Sequence, residues 1–458
     1  MSHDDPPVAP AGRPTLVGPD APDYGNILAC IRCGLCLSVC PTYATDRVEM
    51  QSPRGRVALI RAVGEARLPL LSPGFHEHLY HCLDCRACET VCPSGVKVGE
   101  LVLAARAEVE KVRRAPLAER LIKLVALRLA LSSSRRLARF VAPLRLYQRL
   151  GVQRLVRATR ALDRLPGGLK VLGAMEALLP PLPARPLHVD LGEVTPARGE
   201  RKYRVGFFLG CMMSVMLAET SRATVRVLAE NGCEVVTPKD QVCCGAPHVE
   251  EGDAAFLRKL ARRNVEVFSR YDLDYVVADC AACSAETKRY GKLLADEPAY
   301  AEKARAFSAR VREISELLAE IPLRKPLAEV PSRVTYHEPC HLCHAQGIRR
   351  QPRQLIQAIP GVQLVEMRES DWCCGSAGVY NVTHAERADR ILARKVRNVK
   401  ATGADVVATG NPGCLLQLQA GVRQAGLKAK VLHPVQLLDQ AYRAEARSAK
   451  VRTGETGG

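Results

Sequence analysis

Two copies of one cysteine pattern constrain this chain more than anything else in it: Cys30-x2-Cys33-x2-Cys36-x3-Cys40-Pro41 and Cys82-x2-Cys85-x2-Cys88-x3-Cys92-Pro93. Three thiols at two-residue gaps wrap one corner of a compact iron–sulfur cluster. The fourth, ahead of a proline that turns the chain away, reaches a neighbouring cluster. The pattern assigns one 4Fe–4S cluster to Cys30, Cys33, Cys36 and Cys92 and a second to Cys82, Cys85, Cys88 and Cys40. A zinc ribbon needs only four ligands, usually in two separated knuckles, so the triple run exceeds what zinc requires. The 41 residues between Cys40 and Cys82 are more than a minimal ferredoxin carries and predict an inserted helix over about 54–65.

The other eleven of the 19 cysteines lie beyond residue 200 and repeat as well. The first copy contains Cys211, Cys243-Cys244-Gly245 and Cys280-x2-Cys283; the second contains Cys340, Cys373-Cys374-Gly375 and a lone Cys414. Thirty-one residues separate Cys211 from Cys243 and 32 separate Cys340 from Cys373, the signature of internal duplication. By the same count, Asn411 stands where Cys280 stands in the first copy. Cys233 falls outside the matched positions as a core thiol, and Cys343 as an extra beside the site.

Each copy opens on an apolar strand, 203–209 and 333–337. A helix follows (218–231, 352–359), then a strand (234–236, 363–366), the CCG loop, a long helix (253–269, 384–402) and a β-rich run (275–279, 405–409). Strands alternating with helices argue for βαβ units around a parallel sheet. Cys211, Cys280 and Cys414 then lie just past strand ends, where open α/β sheets place ligands. The CCG thiols sit in a loop ahead of a helix, where free N–H groups favour anionic sulfur. Cys211, Cys243, Cys244, Cys280, Cys283, Cys340, Cys373, Cys374 and Cys414 are therefore a second set of candidate metal ligands, for a further iron–sulfur cluster or zinc. Five sulfurs in the first copy exceed a cubane's four, so either one is a spare reactive thiol or the cluster is not a simple cubane. The second copy is either a four-thiol site or an emptied structural duplicate. His337, His341 and His344 flank Cys340, and His248 follows the first CCG, as thiolate hydrogen-bond partners, ligands or proton carriers.

The net charge of +18 is local: residues 101–170 hold 17 Lys+Arg against 4 Asp+Glu. Leucines and valines at helical spacing between these arginines predict basic amphipathic helices that dock an acidic partner or an anionic membrane surface. Nucleic acid ranks last, since aromatics are 4% of the chain and no helix-turn-helix or zinc-finger spacing occurs. The N-terminus, acidic and proline-rich, is unlike a secretion signal. The greasiest run, 121–131, is interrupted by Lys123 and Arg128. These features predict a cytoplasmic chain, at most peripheral on the inner membrane, in which cysteines serve metals rather than disulfides.

The two ferredoxin runs, the Ser52-Pro53-Arg54-Gly55-Arg56 segment between them, His337-Glu-Pro-Cys-His-Leu-Cys-His344 and Cys373-Cys-Gly-Ser-Ala-Gly-Val-Tyr380 resemble the iron–sulfur subunit of glycolate oxidase (glycolate dehydrogenase), over about residues 25–442. Asn411-Pro-Gly-Cys414 also fits that family's second repeat. The full Cys280-x2-Cys283 is instead similar to heterodisulfide reductase relatives. The resemblance implies that FAD-binding partner subunits oxidise glycolate to glyoxylate and that this chain takes up the electrons and passes them towards a quinone or other acceptor. The chain itself would carry no FAD and no hydroxyacid-oxidising activity; no G-x-G-x-x-G fingerprint appears at a strand–helix turn. The iron–sulfur subunits of lactate or glycerol-3-phosphate dehydrogenases share the layout, and a heterodisulfide-reductase-like thiol/disulfide role is the alternative from another class.

The expected architecture is α+β and multidomain: a disordered tail at 1–24, a helical two-cluster ferredoxin domain at 25–112, a basic helical linker at 113–198, duplicated α/β CCG domains at 199–325 and 326–445, and a disordered tail at 446–458.

Overall fold

The computed structural model describes residues 16, 18–159, 162 and 170–452. It contains two compact units, Met1–Arg120 with Pro247–Ala255, and Leu121–Ala246 with Phe256–Gly458.

The first unit is helical. Ser52 caps the helix Pro53–Gly64 by accepting a hydrogen bond from the Gly55 amide at 3.0 Å, with Pro53 at the first helical position. Val57, Ile60 and Val63, three residues apart, turn one face inward against Phe75 and Leu79 of Pro73–Tyr80 and Leu101, Val102 and Val109 of Val98–Val112. This core holds the two cysteine loops at its edge. Most of the tail predicted at 1–24 lies outside the described residues, but Asp20 pairs with Lys111 at 3.1 Å.

The basic segment forms helices as predicted: Leu117–Lys123, the π-helical run Leu124–Leu131, Ser134–Arg149, Val152–Thr159 and Lys170–Leu178. Arg160 lies outside the described residues. Two sheets follow. The first runs β1 (Val194–Thr195), β2 (Tyr203–Phe208), β3 (Cys233–Val236), β4 (Tyr275–Ala278) and β5 (Val311–Glu313), in the order β1-β3-β2-β4-β5. The second runs β6 (Ser332–Tyr336), β7 (Val362–Leu364), β8 (Val406–Ala408) and β9 (Lys430–Leu432), in the order β7-β6-β8-β9. Apart from antiparallel β1, every pairing is parallel, and the four-strand orders are the same. The duplicated α/β expectation therefore describes the fold. Edge strands β1, β5 and β9 were not anticipated; at two or three residues they carry little periodic signal.

One apolar core runs through both repeats, from Val205, Phe207 and Val235 to Val334, Tyr336 and Leu438. Helices Ala218–Glu230 and Pro434–Arg452 close it, with Arg226 donating twice to Asp439 at 2.7 Å. The tail predicted from 446 is helical as far as Arg452, because this alanine-, lysine- and arginine-rich stretch continues the packed helix.

Candidate metal centres

Each ferredoxin run curls through two left-handed backbone positions, Arg32 (φ 57°) and Gly34 (φ 86°) in the first, Asp84 (φ 44°) and Arg86 (φ 58°) in the second. For residues other than glycine this conformation costs about 1 kcal/mol and is held by its surroundings. The curled loops line two cavities. Cys30, Cys33, Cys36 and Cys92 line one, and Cys40, Cys82, Cys85 and Cys88 line the other, with Cys88 also on the wall of the first. Burial, then the neighbouring Cys82 and Cys40 thiols, push Cys88 well above its ordinary value; burial raises Cys36. Thiols converging on one small cavity are a soft-cation donor set, so each group fits thiolate-bound iron.

The segment between the runs supports both loops. A Cβ on Gly55 would lie 2.0 Å from the Glu49 carbonyl oxygen, so only glycine fits where the helix passes that turn. Arg54 donates to the Arg32 carbonyl at 3.2 Å and pairs with Glu49 at 2.7 Å. Arg56, 1% exposed, donates to the His78 carbonyl at 2.8 Å and to Thr42 Oγ1 at 3.1 Å, and Thr42 lies 3.3 Å from Cys40 Sγ. Arg106 donates to the Leu79 and Cys82 carbonyls at 2.8 and 2.7 Å. Nothing in the sequence marks these arginines as supports of the loops, because a buried arginine looks like any other in a basic chain.

In the first CCG repeat, Cys211 follows β2 and Cys280 follows β4, the adjacent strands at which strand order reverses. All five thiols are buried. Cys211 and Cys243 Sγ atoms are 3.8 Å apart, the Gly245 amide donates to Cys243 Sγ at 3.5 Å, and the Cys283 amide donates to Cys280 Sγ at 3.3 Å. Hydrogen bonds from Cys243 and Cys283 hold the Cys244 thiol below its ordinary value despite burial. The hydrogen bond with Cys243, then burial, raises Cys211, and bonds with Cys244 and Cys280 raise Cys283. Five buried sulfurs this close together are a soft-metal donor set. Cys233 stands apart in β3, its thiol pushed up to about 12 by burial.

In the second repeat Cys373, Cys374 and Cys414 are buried and Cys340 is half-buried. Cys340 interacts with Cys373, and Cys373 and Cys414 with Cys374. Gly413 lets the two loops close up, since a Cβ there would lie 2.5 Å from Ser376 Oγ. Asn411 faces the first repeat: its Oδ1 accepts from the Ala282 amide at 3.2 Å and lies 3.6 Å from Cys280 Sγ, while its Nδ2 donates to Cys414 Sγ at 3.7 Å. The two thiol sets thus meet at one side chain.

The histidines separate. His344 is engaged on both ring nitrogens, by Arg349 at 3.2 Å and the Asp371 carbonyl at 3.2 Å. His337, 1% exposed, has no hydrogen-bond partner on either nitrogen, and one ring nitrogen lies within 4.8 Å of Cys374 and Cys414 Sγ. Burial, then the Lys395 charge, keeps it neutral. Lys395, buried and donating to the Ser370 carbonyl at 3.1 Å, is itself lowered to about 8 by burial.

Three family models match parts of the chain. A 4Fe-4S dicluster domain matches residues 26–96, a cysteine-rich domain matches 205–287 and 334–419, and the linker region of the glycolate oxidase iron-sulfur subunit matches 118–179. The probable glycolate oxidase iron-sulfur subunit of Bacillus subtilis is 39% identical over 426 residues, 92% of this chain and 95% of that protein. The Escherichia coli glycolate oxidase iron-sulfur subunit is 30% identical over 91% of this chain and 94% of its own length. A fumarate reductase (CoM/CoB) subunit of Methanothermobacter marburgensis is 28% identical over 92% of this chain and 74% of its own length. With the dicluster domain, the linker and both cysteine-rich repeats in order, the chain belongs to the glycolate oxidase iron–sulfur subunit family.

Proposed function

We propose that this chain is the electron-transfer subunit of a flavin-dependent glycolate dehydrogenase and accepts electrons from FAD-binding partner subunits. Two cavities, one lined by four thiols and the other by four and the shared Cys88, carry the reading. In it Cys30, Cys33, Cys36 and Cys92 hold one 4Fe–4S cluster and Cys82, Cys85, Cys88 and Cys40 the other. Each cluster, when bound, supplies one-electron transfer, and a pair in series handles the two electrons a flavin releases. Cys88, on the wall of both cavities, sits between the two sites. Arg54, Arg56 and Arg106 fix the loop carbonyls and so the positions of the thiols. The quinone or other acceptor lies beyond this chain, which on this reading does not oxidise glycolate alone. The domain limits 25–112, 113–198, 199–325 and 326–445 belong to the same reading.

The basic helices are the docking element, for the flavin subunits or the cytoplasmic face of the inner membrane. Leu121, Ile122, Leu146, Leu150 and Leu155 are exposed among the arginines, and among the described residues no helix is long and apolar enough to cross a membrane.

The relay is tested with Cys85→Ser in the whole complex. Glycolate should still reduce the flavin, while dye reduction at the acceptor end falls at least about 100-fold, the loss of roughly 3 kcal/mol of transition-state access. Loss of flavin reduction as well would show that the thiol serves structure or the chemistry itself. A thiol/disulfide role for the first CCG site is supported by the Cys211 and Cys243 sulfurs 3.8 Å apart, with the Cys244 thiol held low beside them. Alkylation of Cys244 that stops acceptor reduction while every iron centre remains would favour it.

A further inference from the structure

The two CCG repeats can be compared strand for strand. Register pairs Phe208 with Ala278 in the first sheet and Tyr336 with Ala408 in the second, so the next residue is Leu209 in one and His337 in the other. Leu209 is an apolar core residue. One loop further along the change runs the other way: Cys280 in the first repeat gives way to Asn411 in the second. Each repeat thus keeps five soft-metal donors, as five thiols in the first and as four thiols with one imidazole in the second. Asn411 does not compensate for the lost sulfur, because its amide is spent on the Ala282 amide and the Cys414 thiol.

We infer that His337 is a metal ligand, which with Cys374 and Cys414 binds an iron of a cluster or a zinc ion in the second repeat. Three observations point there. The three ligand atoms lie within 4.8 Å of one another and all three residues are buried. Both ring nitrogens of His337 lack a hydrogen-bond partner at 1% exposure, which is costly for an imidazole unless something else occupies them. The neighbouring His344 is tied up by Arg349 and the Asp371 carbonyl and is unavailable. Binding releases the Cys374 and Cys414 protons, while the imidazole binds in its neutral form. Imidazole together with thiolate suits zinc and iron alike, and on an iron–sulfur cluster a nitrogen ligand raises the reduction potential relative to an all-thiolate set. The ligand assignment does not depend on the relay reading, because it concerns what the second repeat holds and not where electrons go.

The test uses the full chain, purified without oxygen and labelled with 15N-histidine. Iron, sulfide and zinc are counted, pulsed electron paramagnetic resonance reads nitrogen coupling to a paramagnetic cluster, and zinc-edge X-ray absorption reads a nitrogen neighbour at about 2.0 Å beside sulfur at about 2.3 Å. The wild type should show one histidine nitrogen, by the first method if the metal is iron and by the second if it is zinc. His337→Cys should keep the metal count but lose the nitrogen, and any iron signal should move to lower potential. His337→Ala should lose the metal of that site, with the iron of the eight ferredoxin-type cysteines unchanged. His344→Gln should keep the nitrogen. The inference fails if the wild type shows no histidine nitrogen by either method, if the nitrogen persists in His337→Cys, or if it disappears in His344→Gln instead.

Discussion

The molecule gathers thiols in two different ways. In the first unit, three cysteines within seven residues, curled by left-handed turns at Arg32 and Gly34 or at Asp84 and Arg86, supply most of each cavity's thiols, and the last cysteine of the other run completes the set. In the CCG repeats, cysteines up to 74 residues apart in sequence, from Cys340 to Cys414, meet because parallel strands bring the loops after β6 and β8 to one edge, as they do after β2 and β4 in the first repeat. Each arrangement tolerates a different set of mutations. A local loop depends on its immediate supports, whereas a loop cluster depends on the sheet and on the glycines that let loops close up.

The largest effect should come from the support of the local site. Gly55→Ala drives a methyl into the Glu49 carbonyl and should cost about 3 kcal/mol, with loss of most iron bound by the first unit. Iron content and absorbance near those of wild type would show that the helix can shift, and that the loops do not lean on this turn.

Somewhat less is expected from the equivalent position of the convergent site. Gly375 has φ 88°, and a Cβ there would lie 2.8 Å from the Ala388 carbonyl oxygen, so Gly375→Ala should cost about 2 kcal/mol by thermal melting. Ferredoxin-type iron should remain; its loss would mean that the contrast between local and convergent sites is wrong.

A smaller, pH-dependent effect tests the buried polar contact between the repeats. A Cβ on Gly410 would lie 3.4 Å from His433 Nε2 and 3.6 Å from Glu313 Oε1, both buried and without hydrogen-bond partners on those atoms. Burial raises Glu313 from 4.5 to about 7. Between those values the folded chain holds a proton that the unfolded chain releases, so this group lowers stability as pH rises from 4.5 to 7 and keeps it lowered above. His433, lowered to about 3 by burial, acts oppositely between 3 and 6.5, and Asp279, raised to about 6, acts with Glu313. Glu313→Gln isolates one member: the variant-minus-wild-type stability should grow by about 1–2 kcal/mol between pH 4.5 and pH 8 in denaturant titrations. A flat difference would place Glu313 in contact with water.

The smallest effect concerns the basic helices. Exposed charge is screened beyond about 10 Å at 0.1 M salt, so raising salt to 1 M should release the chain from membranes or from the flavin subunits. Attachment that survives would assign the docking to the exposed leucines instead.

Spacing made the ferredoxin runs, the duplication and the order of strands and helices legible, because each is a local or periodic signal in the chain. The support of the loops was not legible. Ser52-Pro-Arg-Gly-Arg56 stood out as a segment, but only packing shows Arg56 buried against Thr42 and the His78 carbonyl, and Gly55 pressed on Glu49. His337 and His344 look alike in sequence, seven residues apart beside the same cysteine. What separates them is what each meets through the fold: Arg349 and Asp371 occupy one ring, while the other lies with Cys374 and Cys414 within ligand distance.

The sequence by itself therefore determined which chemistry this protein can hold, because thiols at ligand spacing have few other uses in a chain of this composition. The tertiary structure alone decided which side chains complete each site. That choice depends on distances between loops tens or hundreds of residues apart, such as Asn411 against Cys280, and no pattern of neighbours along the chain encodes them.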